Sequence, residues 1–135
     1  MKKLLSIILF LSSLIGISGG VYAALPIDNS PQWSNISTMV SGLGFSGTNG
    51  TASGSVDAKS GVTKIEGTLT VYRWSGNTWV YVDSDSDTTT TDDYLVLSVE
   101  FTGVSGVNYK SVFHVSVTRN GIVETEDKTN YRACT

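Results

Sequence analysis

Residues 62–82, VTKIEGTLTVYRWSGNTWVYV, leave this chain little choice of fold. Between 62 and 74 the side chains alternate. Ile65, Leu69 and Val71 share one parity; Lys64, Glu66, Thr68 and Thr70 share the other. A period of two over this length specifies a strand with unlike faces, and Val, Thr, Tyr and Trp suit a pleated surface. Gly76-Asn77 then interrupts the run with a two-residue hairpin signal. That loop predicts a register: Ser75 opposite Thr78, Trp74 opposite Trp79, Arg73 opposite Val80, Tyr72 opposite Tyr81, and Val71 opposite Val82. Tyr72, Trp74, Trp79 and Tyr81 then share one face, and Leu69, Val71, Val80 and Val82 share the other. A slip of one residue would scramble both sets. A lone hairpin is not stable in water, so further strands must cover the aliphatic face.

The chain opens with Lys2 and Lys3, an apolar run over 4–17, and Val21-Tyr22-Ala23. This reads as a secretory signal peptide over 1–23, cut after Ala23, and implies a secreted, extracellular protein. The apolar run is too short for a membrane span, and no second such run follows. The mature chain is expected to have no membrane span. It would keep seven basic against twelve acidic residues, a net charge of −5. Neither nucleic acid nor an anionic membrane suits that balance as a partner. The lone Cys134 excludes an internal disulfide. It is read as a thiol on a frayed tail over 131–135, or else as a cross-link in a dimer. A monomer is the favoured state.

The remaining segments are expected as follows. Residues 24–35 form an extended arm containing both prolines, with Trp33 pinning it to the body. Strands cover 36–45 and 51–58, the second made of small residues over which something bulky packs closely. An acidic loop occupies 83–93. A strand over 94–102 turns Leu95, Leu97, Val99 and Phe101 inward. Another over 109–118 keeps Tyr109, Phe113, Val115 and Val117 in phase. Arg119-Asn120-Gly121 fits a three-residue hairpin loop that sets Val117 against Val123, Ser116 against Glu124 and His114 against Glu126. A two-residue loop would set Val117 against Glu124, a poor pairing of apolar with charged. About seven strands and no helical period give an all-β domain over 36–130. The expected architecture is a small antiparallel β-sandwich of immunoglobulin-like form, with a small β-barrel as the alternative.

The stretch SGVTKIEGTLTVYRWSGNTWVYV, the Gly106-x-x-Tyr109 turn and the later RNGIVET resemble a domain-of-unknown-function family of short secreted proteins from Gram-positive bacteria. The likeness spans roughly residues 50–130. Members typically carry Tyr-Arg where this chain has Tyr109-Lys110. The resemblance implies export and a β fold, and transfers no active residues. In that bacterial setting the sequons at Asn35 and Asn49 are expected to stay unmodified.

Three groups of residues are candidates for chemistry. His114 is the only histidine, and no G-x-S-x-G elbow accompanies it. A surface ion pair with Glu126 is the expectation, so no catalytic residues are assigned. Glu124 and Glu126 share a face at the spacing of paired carboxylates, but on one strand rather than across a cleft. The second group is Asp83, Asp85, Asp87, Asp92 and Asp93, whose oxygens make calcium the one candidate metal. The pattern departs from a helix-loop-helix calcium site at Thr88 and Tyr94, and a solvated acidic loop is the competing reading. The third group is the aromatic face of Tyr72, Trp74, Trp79 and Tyr81, a platform for a glycan or protein unless it is buried. The resulting expectation is a non-catalytic extracellular binding module. A self-associating structural component ranks second, and a small hydrolase last.

Overall fold

The computed structural model describes residues 32–135. The expected signal peptide, its cleavage site and most of the arm lie outside the described residues. Seven strands follow in order: β1 (Ile36–Ser46), β2 (Asn49–Ala58), β3 (Val62–Ser75), β4 (Thr78–Thr89), β5 (Tyr94–Thr102), β6 (Asn108–Arg119) and β7 (Ile122–Ala133). No helix among the described residues is long and apolar enough to cross a membrane.

The strands form two antiparallel sheets, ordered β1-β2-β5 and β4-β3-β6-β7. The sheets stay unclosed, so the molecule is a sandwich and not a barrel. The order is immunoglobulin-like, with the fourth strand attached to the β3-β6-β7 sheet rather than to the β1-β2-β5 sheet. Strands β2, β3, β5 and β6 contribute alternate residues to the core. Ile65, Leu69 and Val71 of β3 and Phe113, Val115 and Val117 of β6 face Leu95, Leu97 and Val99 of β5, with Ala52 and Val56 of β2. The small residues of β2 have the predicted use. A Cβ on Gly54 would lie 2.6 Å from the Phe113 ring, and one on Gly50 would lie 2.4 Å from Phe101.

A tyrosine corner joins the sheets. The Tyr109 hydroxyl, at the start of β6, accepts the Val104 backbone N–H at 2.8 Å. This is the corner found where strands E and F meet in immunoglobulin domains. Two residues beyond the tyrosine those domains carry a disulfide cysteine; this chain has Ser111, fully buried and without a hydrogen-bond partner for its hydroxyl. Phe45, Phe101 and Tyr109 close this end of the core, their ring centroids 5.3–5.5 Å apart.

Three sequence expectations are corrected. First, 83–93 is not a loop, because β4 pairs with β3 as far as Thr89. Aspartate is a poor strand former, but the fourteen-residue β3 supplies hydrogen bonds along its whole length, and the sheet edge keeps the carboxylates wet. Second, Val71 opposes Asp83 and not Val82. A bulge leaves Val82 unpaired, although it still packs against the core. Third, the β6–β7 loop has two residues, Asn120 and Gly121, with φ of 54° and 74°. Positive φ at both central positions marks the turn whose twist matches the flanking strands. Val117 therefore does oppose Glu124, and His114 opposes Asp127.

Glu124 can face inward there because the incoming chain satisfies it. Its carboxylate accepts the backbone N–H groups of Ser34 at 2.7 Å and of Asn35 and Ile36 at 2.9 Å. Asn35 donates both side-chain protons, to the carbonyls of Val117 and Ile122 at 2.8 Å each. Trp33 is held on the body: its indole donates to Glu126 at 2.9 Å, and Lys128 lies over its ring.

The C-terminal segment is not frayed. Strand β7 runs to Ala133, past the expected boundary at 130, and Cys134 is fully buried. Its backbone N–H donates to Val107, and its carbonyl accepts from Gly106. These bonds strap the chain end to the β5–β6 corner. Both readings of Cys134 assumed a reachable thiol, and burial withdraws it.

Candidate functional site

The tip of the β3–β4 ribbon carries the aromatic residues singled out in the sequence. Gly76, with φ of 66°, occupies the first central position of its turn, where glycine is required. The pairs Trp74–Trp79 and Tyr72–Tyr81 form as predicted. All four side chains lie on the outer face of the four-stranded sheet. Trp74 is 41 % exposed and Tyr81 58 %, so the face is not inside the sandwich. Trp33, which the sequence offered as a cover for this face, binds at Glu126 instead.

Pairing between β3 and β6 stops at Arg73 and Tyr109, and the ribbon beyond it stands free of β6. There the Trp74 and Trp79 rings meet edge to face at 5.1 Å, and Trp79 lies 5.9 Å from Tyr131 of β7. Lys110 locks this arrangement. Its ammonium lies 5.2 Å from the centre of the Tyr72 ring and 4.8 Å from that of Trp79. Such cation–π contacts are worth about 0.5–1 kcal/mol each at exposed sites.

Between the ribbon tip and the end of β7 lies a cleft of about 600 Å³, lined by Trp74, Trp79, Asn108, Tyr131 and Arg132 among others. That volume is within the usual range for small-ligand sites. The platform predicted from the sequence is thus one wall of a cleft. Its other wall, Tyr131 and Arg132, was missed. No local signal reveals them: Tyr131 joins Trp79 only through the β3-β6-β7 order of the sheet.

The aspartates are placed differently. Asp83, Asp85 and Asp87 oppose Val71, Leu69 and Gly67, which puts them on the inward face at the open edge of the sandwich. Inward charges on an edge strand are a known guard against pairing with another sheet. Asp83 and Asp87 each accept the N–H of the following residue. Asp92 and Asp93 lie beyond the strand, where the Asp93 carbonyl accepts from Ala58. No group of three or more metal-ligating side chains occurs among the described residues.

His114 Nδ1 is hydrogen-bonded to Asp127 Oδ1 on the exposed outer face, in place of the predicted Glu126. No serine hydroxyl bonds to His114 among the described residues. The titration of Glu124 is displaced. Partial burial pushes its carboxyl up, but three backbone donors and the charge of Lys59 outweigh this and hold it below the usual glutamate range. Glu124 and Glu126 therefore hold residues 33–36 and do not form a carboxylate pair across a cleft.

No protein-family model matches this chain, and a search of curated proteins finds no match. The site is consequently argued from its own geometry.

Proposed function

We propose that this protein is a secreted, non-catalytic binding module whose aromatic cleft takes a glycan. The observation that carries the reading is the set of Trp74, Trp79 and Tyr131 around a cleft of about 600 Å³. Aromatic faces suit the C–H surfaces of sugar rings, and they offer large contact area at low conformational cost. So much exposed aromatic surface needs a reason, and the fold does not use it for packing. Two features support a preformed site. Lys110 fixes the Trp79 ring, and the Cys134 bonds hold the end of β7 that supplies Tyr131 and Arg132.

A glycan array probed with the labelled protein tests the reading. Selective retention on some glycans is expected, and Trp79→Ala should abolish it with the far-ultraviolet spectrum unchanged. Retention on none, or retention that survives Trp79→Ala, overturns the proposal.

A further inference from the structure

Resting on the glycan reading above, we infer that the ligand is a neutral, β-1,4-linked sugar chain. It lies along the strands, from the aromatic cleft onto a second hollow of the same sheet face. That hollow, of about 320 Å³, is lined by Glu66, Thr68, Ser86, Thr88, His114 and Ser116. The register puts all six on the outer face that Tyr72, Lys110 and Tyr131 share. Thr68 stands four residues from Tyr72 on β3, about 13 Å along the strand. One sugar ring cannot occupy both places, and a chain can.

The ground between them is open and hydroxylated. Ser84, Thr70, Val112 and Thr129 fill the row below the tyrosines. All four are short, so nothing tall separates the two sites. On β4 acids and hydroxyls alternate: Asp83, Asp85 and Asp87 turn inward, and Ser84, Ser86 and Thr88 turn outward. The Tyr81 hydroxyl lies 3.0 Å from Ser84 Oγ, and Ser86 Oγ donates to Thr68 Oγ1 at 3.1 Å. Such hydroxyls both donate and accept, as those of a sugar do. Asp127 holds Nδ1 of His114, which leaves Nε2 for a ligand hydroxyl.

Charge on this face is already matched. Between the rows of Lys64 and Trp74 its charged side chains are Lys64, Glu66, Lys110, His114 and Asp127. Lys64 pairs with Glu66, His114 pairs with Asp127, and Lys110 lies over the Tyr72 and Trp79 rings. A neutral ligand leaves each with its partner. A straight track suits a β-1,4-linked chain, which is an extended ribbon; an α-1,4-linked chain coils away from a sheet. The ribbon offers C–H faces to the aromatic rings and hydroxyls along its rims.

The test is calorimetric titration of the secreted chain with the di- and hexasaccharides of cellulose and of chitin, and with maltohexaose. At least one β-linked hexamer is expected to bind about tenfold or more tighter than its dimer, with maltohexaose weak. His114→Ala and Thr68→Val should each weaken the hexamer about threefold or more, as loss of one hydrogen bond requires. Both should leave the dimer's affinity and the melting temperature unchanged. Equal affinity for dimer and hexamer, or maltohexaose matching the β-linked hexamers, overturns the inference and leaves the glycan reading standing. A hexamer advantage that survives both variants does the same, as does loss of dimer and hexamer alike. Failure of every one of these sugars, with other glycans retained on the array, also overturns the inference alone. Failure on the array as well removes both proposals.

Discussion

Glu124 and Ile36 stand 88 residues apart in sequence, yet the Glu124 carboxylate accepts the Ile36 backbone N–H at 2.9 Å. The same side chain takes the N–H groups of Ser34 and Asn35. One carboxylate on an edge strand thus fixes where the first strand of the opposite sheet begins.

This relationship predicts a pH dependence. The folded-state pKa of Glu124 lies below its unfolded value, so ionisation favours the native state. The contribution is complete above the ordinary glutamate value of about 4.3 and is lost as pH falls through the lowered folded value. Glu124→Gln should cost about 1–3 kcal/mol at neutral pH, since it removes charge-assisted bonds. The variant and the parent should converge in stability as the pH drops. Urea denaturation at pH 7 and pH 3 measures both; a constant gap would contradict the account.

The tyrosine corner predicts a loss without a change of shape. Tyr109→Phe keeps the ring among Phe45 and Phe101 but leaves the Val104 N–H without its acceptor. A cost of about 1–3 kcal/mol is expected for a part-buried group left unpaired. The denaturation midpoint should fall with the m-value unchanged.

Ser111 predicts a gain. Its hydroxyl is buried between the sheets with no partner. Ser111→Ala removes the unpaired group and little volume, and should stabilise by up to about 1 kcal/mol. For a domain of this size that is a rise in melting temperature of about 4–8 °C. A fall would mean that the hydroxyl has a partner, such as an ordered water.

Gly54 predicts the opposite. An alanine there would drive its Cβ into the Phe113 ring, at the heart of the core. Relief requires moving an aromatic ring or separating the sheets, and overpacking of this kind costs about 1–3 kcal/mol or more. Gly54→Ala paired with Phe113→Leu should recover part of the loss, which calorimetry can resolve.

The alternating strands, the sandwich and the ribbon tip were legible because their signals are local. Gly76-Asn77 sets the tip by itself, and Leu95, Leu97 and Val99 state their own phase. What was misread depends on contacts distant in sequence. The β6–β7 turn was mistaken because Val117 against Glu124 looks wrong until Ser34, Asn35 and Ile36 are placed beside the carboxylate. The aspartates of β4 were mistaken for a loop because their poor strand propensity is visible, and the long partner that overrides it is not. Half of the cleft was invisible for the same reason, since Tyr131 meets Trp79 only once the sheet order is known.

The unpaired Val82 separates the ribbon into two lengths that can vary independently. Substitutions in the tip can alter what the protein recognises, while the stem beneath keeps its pairing with the hydrophobic interior. Were Val82 drawn into the ladder opposite Val71, every residue after it would slip by one, and the aspartates would come round to the tryptophan side.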